Sequence, residues 1–402
     1  MIPVAEAIQI VLQHTPLLGA EPVPISDAPG RILAEDIVAD TDLPPFDRAQ
    51  MDGYAVQAAN TVNTPARLRI VGESAAGAGW HQEMKSGEAV RIMTGAPVPA
   101  GADAVQQVEL TREVNGGGVV EILEPVNEGR SIVRRADEIT SGTTVLRGGE
   151  EINAAMIATL ASFGYAHVKA GRQPRVAVMA TGSELVDVNQ KPGADQIRDS
   201  NNYTIAAYAA RCGAIVERLP LAGDDTDELK REIAAAAGRS DMVITSGGVS
   251  MGVYDFTKAA LKELGAEICF ERVALRPGKP TVFGKIGSTL VFGLPGNPVS
   301  VAVTFNLFAR TALRAMQGAK NPVLEKETAV LARDLKGSLD RESYLPAVLS
   351  TDEKGTLLAE PLKWGGSSDF VAFARATALI NLPVGSQPIR SGELVGVFKL
   401  PT

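Results

Sequence analysis

The chain has 402 residues, of which 45% are apolar and 21% charged, and a formal net charge of −8; at roughly 100 to 200 residues per domain this predicts two to four folded domains and excludes disorder. The negative balance excludes nucleic acid and anionic membrane surfaces as general partners, so any bound oxyanion must be held by a local basic cluster. No apolar run reaches the roughly 18 to 20 residues of a membrane span, and Met1-Ile-Pro-Val-Ala-Glu lacks the basic-then-apolar order of an export signal, so a cytoplasmic protein is expected.

Apolar residues at helical spacing (Val4, Ala7, Ile8, Ile10, Val11, Leu17) predict an amphipathic helix over 3–18. From 21 to 145 the texture changes to short β-rich runs at 67–71, 89–93 and 119–123, separated by Gly- and Pro-rich turns, which predicts a small β domain. A helix over 153–164, stopped by Gly164, and a short strand over 165–169 return the chain to the company of the N-terminal helix. From Arg175 strand and helix alternate: strands at 176–180, 215–221 and 242–245, with helices over 203–212, 226–237 and 257–264. Further strands near Ile268, Val282 and Val291 and a long helix over 299–316 follow. This alternation predicts a doubly wound, mostly parallel α/β sheet. After Asn321-Pro322 the pattern is β-rich to the end, with runs at 327–332 and 393–398. The expected organisation is a discontinuous helical and linker domain (1–45 and 141–173), a small β domain (46–140), an α/β domain (174–322) and a C-terminal barrel-like β domain (323–402).

Two junctions concentrate the chemistry. Met-Val-Ile-Thr-Ser246-Gly-Gly-Val-Ser-Met-Gly252 runs from an apolar strand into a glycine loop, and Val291-Phe-Gly-Leu-Pro-Gly-Asn-Pro-Val-Ser300 repeats the plan. At the carboxyl end of a parallel strand such loops open into the ligand crevice. There the backbone of Gly247, Gly248, Gly296 and Asn297, with the hydroxyls of Ser250 and Ser300, offers donors to a phosphorylated small molecule. Glu184, Asp224 and Asp255 each follow a predicted strand, where three carboxylates suit a magnesium ion; solvated loop acids or helix caps are the plainer alternative. Arg276 and Lys279 flank Pro277-Gly278 and suit a doubly charged oxyanion, or are simply surface charge. In Asp199-Ser-Asn201 the arrangement reads as a helix start, with a capping role for Ser200 and a ligand role for Asn201. Cys212 and Cys269, with His14, His81 and His167 scattered along the chain, show no zinc-ligand spacing, and burial is the expected role of both cysteines.

The ordered set Asp42-Leu-Pro-Pro-Phe-Asp-Arg48, Met51-Asp-Gly-Tyr-Ala55, Thr94-Gly-Ala-Pro-Val-Pro99, Thr181-Gly-Ser-Glu-Leu185, Asp199-Ser-Asn201, Ser246 to Gly252, Pro277-Gly-Lys-Pro280 and Leu294-Pro-Gly-Asn-Pro-Val-Ser300 resembles the molybdopterin molybdotransferases, the MoeA and gephyrin E-domain family. The resemblance spans nearly the whole chain. It implies a homodimer of four-domain subunits that inserts molybdate into adenylylated molybdopterin, with magnesium and release of AMP, and with transient contacts to the adenylyltransferase before it and the apo-molybdoenzymes after it. It further implies catalytic roles for Asp52, Thr94 and Asp137 in a cleft completed by the partner subunit, alongside Glu184, Asp224 and Asp255. Substrate contacts are implied for Ser200, Asn201, Ser246, Gly247, Gly248, Ser250, Arg272, Arg276, Lys279, Pro295, Gly296, Asn297, Pro298, Ser300, Arg341 and Ser367.

This chain departs from the family in having arginine at 272 and 276, where lysine is common, and Pro346 where a second arginine often stands. Two other readings remain at this stage: a molybdopterin adenylyltransferase, which the N-terminal half argues against, and a non-enzymatic scaffold, which the lack of a long linker or appended domain argues against.

Overall fold

A computed structural model describes residues 1–401 except Asp224 and 249–255. The chain forms two compact units: Met1–Glu35, Gly148–Ile157 and His167–Thr402 make one, and Asp36–Arg147 with Ala158–Ala166 the other.

The larger unit is built on a six-stranded sheet in the order Ile215–Arg218, Arg175–Ala180, Met242–Ser246, Thr289–Leu294, Val282–Ile286, Glu267–Phe270. The first four strands are mutually parallel and Val282–Ile286 is antiparallel to both its neighbours, so that Glu267–Phe270 again runs with the first four; the sheet is mostly parallel, as the alternating pattern predicts. The central strands are buried on both faces, which is why Met242-Val-Ile-Thr is continuously apolar or β-branched. Val176, Val178, Ile244 and Phe292 point to one face, covered by Asn201–Arg211 and by the N-terminal helix Val4–His14 through Val4, Ala7 and Val11. Ala177, Met179, Val243 and Val291 point to the other, covered by Thr226–Ala237 and Phe256–Glu263 through Leu229, Ile233, Ala236 and Leu261. Truncating one of these fully buried side chains, Ile244→Ala for instance, costs about 2–5 kcal/mol.

Local chemistry sets the helix ends. Val4–His14 stops before Thr15 because Pro16 disfavours helical geometry in the residue preceding it. Asp225 caps Thr226–Ala237 by accepting from the backbone N–H of Asp227 at 2.8 Å and Glu228 at 3.1 Å. The expected helix over 299–316 is instead Pro298–Thr304, a π-helical turn Phe305–Ala309 and Arg310–Met316. Buried Asn306 donates to the Ala302 carbonyl at 2.9 Å and occupies that acceptor, a local competition with the regular ladder.

The C-terminal part closes into a five-stranded barrel. Lys326–Leu331 pairs with Leu357–Pro361 and Leu394–Lys399, Glu342–Thr351 with Leu357–Pro361 and Ala378–Leu382, and Ala378–Leu382 with Leu394–Lys399. Closure leaves no open edge, and Ala329, Leu331, Ala347, Ile380 and Val397 fill the inside. The short strand Leu275–Arg276 pairs in parallel with Glu342–Ser343 and so joins the barrel to the α/β part of the same unit.

The smaller unit carries a mixed six-stranded sheet in the order Ala104–Gln107, Gly53–Val56, Glu88–Ile92, Ala66–Ser74, Val119–Ile122, Thr111–Val114. Its two faces bury Tyr54, Val56, Leu68 and Ile122 on one side and Ala55, Val90, Ile92 and Val105 on the other. Among the described residues no helix is long and apolar enough to cross a membrane.

Candidate active site

Three neighbouring parallel strands, Arg175–Ala180, Met242–Ser246 and Thr289–Leu294, end at the same sheet edge. Their continuations, 181–184, 247–248 and 295–298, line a single cavity of about 2300 Å³ whose opposite wall is the barrel segment 334–341 with Trp364–Ser368. The loops are stitched to one another: Thr181 N–H donates to the Ser246 carbonyl at 2.9 Å and Gly247 N–H to the Leu294 carbonyl at 3.2 Å. Asn201 Nδ2 donates to the Gly296 carbonyl at 2.7 Å and Asn297 Nδ2 to Ser367 Oγ at 2.9 Å.

The two glycines after Ser246 are required by geometry. Gly247 has φ +91° and Gly248 φ +62°. A Cβ on Gly247 would collide with the Thr181 carbonyl oxygen, and one on Gly248 would lie 2.6 Å from Thr257 Oγ1. The bare backbone is therefore what allows the loop to lie along the cavity floor.

Polar atoms at this edge are left without protein partners. Ser246 Oγ and Asn201 Oδ1 are buried and find no hydrogen-bond partner among the described residues, and both residues line the cavity. An unmet buried polar atom costs about 1–3 kcal/mol, so a ligand that supplies the missing bonds recovers it.

Charge lies toward the barrel side. Arg276 and Lys279 line the cavity around the cis Arg276–Pro277 bond, and neither closes an ion pair with a described residue. Arg341 also lines it, with Nε 3.1 Å from Asp340 Oδ2, and this hydrogen bond holds the Asp340 carboxyl below its usual range. Asp199, on the α/β side, behaves in the opposite sense: burial raises its carboxyl despite the N–H bonds it accepts. Asp199 Oδ1, and not Ser200, caps the following helix, accepting from Asn202 N–H at 3.1 Å; the Ser200 side chain makes no cap bond, which corrects the capping role expected of it.

The structure thus gathers Glu184, Ser200, Asn201, Ser246, Gly247, Gly248, Arg276, Lys279, Pro295, Gly296, Asn297, Pro298, Ser300, Arg341 and Ser367 around one space. Asp224, Ser250 and Asp255 lie outside the described residues. Arg272 is not brought there. It precedes buried Val273, which is bridged to Ile2, and its own carbonyl accepts from Ile2 N–H at 3.1 Å, so the exposed side chain lies outside the cavity lining. Sequence reasoning took Thr181 only as part of a motif and missed Asp334, Lys336, Asp340 and Trp364; the charged stretch Asp334-Leu-Lys-Gly-Ser-Leu-Asp340 just past the predicted strand at 327–332 was the available signal. Pro346 is buried in the strand Glu342–Thr351 and does not line the cavity.

The chain matches the models of the MoeA N-terminal region (domains I and II) over 2–164, a probable molybdopterin binding domain over 177–315 and the MoeA C-terminal region (domain IV) over 328–400. It is 36% identical to the molybdopterin molybdenumtransferase of Bacillus subtilis strain 168, covering 99% of this chain and 94% of the relative. The chain belongs to the molybdopterin molybdenumtransferase family. A second family member, from Haemophilus influenzae, is 35% identical over 93% of this chain and 92% of its own. The crystal structure of a molybdopterin biosynthesis MoeA protein from Pyrococcus horikoshii OT3 superposes with a TM-score of 0.86 at 29% identity, covering all of both chains.

The motifs singled out in the sequence also direct attention to three residues of the smaller unit. Asp52, in the turn between Arg48–Ala49 and Gly53–Val56, and Thr94, just past Glu88–Ile92, are 42 positions apart but in direct contact. Asp52 Oδ1 accepts from the Thr94 N–H at 2.7 Å and the Thr94 hydroxyl at 2.8 Å, and these bonds hold its carboxyl below the ordinary value. Asp137 is exposed; the neighbouring Arg134 and Arg135 pair with Asp47 and Asp42 instead, each at 2.6 Å. Ala136 before it has φ +63°, a conformation L residues other than glycine and asparagine rarely take.

Proposed function

We propose that this protein inserts molybdenum into the dithiolene of adenylylated molybdopterin from molybdate, releasing AMP, as a cytoplasmic enzyme of molybdenum-cofactor biosynthesis. The observation that carries this reading is the single cavity at the ends of three parallel strands. Its α/β wall offers backbone donors and unmet polar atoms to a phosphorylated pterin, while Arg276 and Lys279, which close no ion pair with a described residue, bring positive charge suited to a doubly negative oxyanion. Relatives bearing the molybdenumtransferase name match along essentially the entire chain, which favours this reading over an adenylyltransferase or a scaffold.

In this reading the residues act by binding and positioning. Gly247, Gly248, Gly296 and Asn297 bind the nucleotide and pterin, Ser246 and Asn201 supply the remaining hydrogen bonds, and Arg276 and Lys279 fix molybdate beside the dithiolene, so that reacting groups meet without a protein nucleophile. Glu184 lines the cavity, and in this reading Asp224 and Asp255 would join it in an all-carboxylate donor set of the hard kind that magnesium takes. Bound there, magnesium would neutralise charge on the phosphoryl oxygens. Asp52, Thr94 and Asp137 would serve the cavity of a partner subunit in a homodimer, with Asp52 arriving ionised and oriented by Thr94.

The test is to incubate purified protein with adenylylated molybdopterin, magnesium and molybdate and follow AMP. Release that requires molybdate is expected, with tungstate in a parallel reaction reporting oxyanion choice. AMP release at the same rate with no oxyanion present would overturn the assignment.

A further inference from the structure

Away from this cavity, the edge strand Glu267–Phe270 and the last turn of Val4–His14 bring together three side chains that the sequence separates widely. One ligand-capable atom from each of His14, Glu267 and Cys269 lies within 4.8 Å of the others. The spacing along the chain gave no hint of this. Each side chain is set up for the meeting. His14 Nδ1 is 2.9 Å from the Ile10 carbonyl, which can only accept, so the ring donates there and Nε2 keeps its lone pair facing the cluster. The ring stands edge-on to Phe283, centroids 6.3 Å apart at 81°, on the rigid core that also contains Val4, Ala7 and Val11 of the same helix.

On the strand, a bulge between Ile268 and Phe270 breaks the pairing with Val282–Ile286. Phe270 joins the core on the N-terminal helix side and Cys269 packs against that same core, whereas Ile268 packs on the opposite face. Glu267 divides its carboxylate: Oε2 pairs with Lys285 at 3.1 Å, and Oε1 lies 3.8 Å from His14 Nε2. Glu267 is exposed and His14 and Cys269 are half-buried, so the cluster has an entry path and room for water.

We propose that His14, Glu267 and Cys269 form a binding site for a thiophilic divalent metal ion of the zinc class. Imidazole, thiolate and carboxylate are the donors zinc takes, and bond lengths of about 2.0–2.3 Å place tetrahedral ligand atoms roughly 3.5 Å apart, an adjustment of about 1 Å from the present separations. Binding expels the Cys269 thiol proton to solvent, leaves Lys285 on Oε2, and admits water as a fourth ligand. It ties the N-terminal helix to the sheet edge, a role separate from the chemistry of the cavity.

The experiment uses the full-length protein freed of metal with a chelator and titrated with cobalt, then zinc. Cobalt is expected to give a thiolate-to-cobalt charge-transfer band saturating at one equivalent; this band requires sulfur, so cobalt on the cavity's carboxylates does not imitate it. Cys269→Ser should abolish the band, His14→Gln should weaken cobalt and zinc binding by at least about tenfold, and Cys212→Ser should keep the band. At the same concentration zinc should raise the thermal midpoint of the parent protein and of Cys212→Ser, and raise that of His14→Gln less. No band in the parent protein, or a band that persists in Cys269→Ser, overturns the proposal. If Cys269→Ser does not fold, unchanged affinity in His14→Gln overturns it.

Discussion

At the sheet edge, Ser246 Oγ and Asn201 Oδ1 are buried with no partner among the described residues, and Gly247 and Gly248 hold the loop at positive φ where an added Cβ would meet Thr181 and Thr257. In the smaller unit, Asp52 accepts two short bonds from Thr94, and Arg134 and Arg135 are neutralised by Asp47 and Asp42. The first region stores unmet hydrogen-bonding capacity that a ligand can use; the second spends its capacity internally to fix one charged group. In the proposed function, binding and orientation are thus built by opposite means. A binding wall gives up some stability of the free protein, whereas a positioning acid is stabilised by the bonds that aim it.

Substitutions sharpen this contrast. The largest effect is expected from Gly247→Ala, where a methyl group must adopt φ +91° against the Thr181 carbonyl. The folded state should lose about 2 kcal/mol or more and substrate affinity should collapse with it, measured by denaturant melts and ligand titration. A variant of parental stability and affinity would show that the loop does not need its bare backbone. Ser246→Ala should do the reverse to stability, leaving it unchanged or slightly raised, while weakening adenylylated molybdopterin by about 1 kcal/mol, roughly fivefold. A drop in melting temperature with unchanged binding would mean that the hydroxyl is satisfied in the free protein.

Two acids should respond to pH in opposite senses. Asp52 is depressed in the fold by its Thr94 bonds, so the stability it contributes is present above its unfolded value near 3.8 and is lost as pH falls through the lower folded value. The stability gap between the parent and Asp52→Asn should accordingly be open at neutral pH and close in acid. Asp199 is raised by burial, so its contribution is present below 3.8 and disappears as pH rises through the folded value. Asp199→Asn should therefore melt higher than the parent at neutral pH and alike in acid, in parallel thermal scans. Gaps that do not change with pH would remove both assignments. The smallest effect is expected at Ala136, where glycine relieves φ +63° and should stabilise the smaller unit by about 0.5–1 kcal/mol.

Much of this was legible in the sequence, for identifiable reasons. Long buried strands write themselves as apolar runs, so the α/β order and both glycine loops could be placed from Met242–Ser246 and Thr289–Leu294 alone. The π-helical turn at Phe305–Ala309 could not, because one buried asparagine bonding backward leaves no trace in the hydrophobic period. The cap at Asp199 was misassigned to Ser200 because both residue types cap helices and only geometry separates them. Arg272 and Arg276, four positions apart, look alike as charges; the pairing of Leu275–Arg276 with Glu342–Ser343 carries one to the cavity, while the bridge of Val273 to Ile2 holds the other away. The barrel wall and the His14 cluster depend on long-range closure, which local patterns do not record.

The proposal that one subunit's Asp52 serves the cavity of its partner is tested most directly by subunit mixing. Asp52→Ala and Glu184→Ala should each be inactive in molybdate-dependent AMP release. After unfolding and refolding together in equal amounts, half the dimers are mixed and each contains one intact site, so activity should return to about a quarter of the parent's. Activity no greater than the sum of the two separate variants would contradict the shared site.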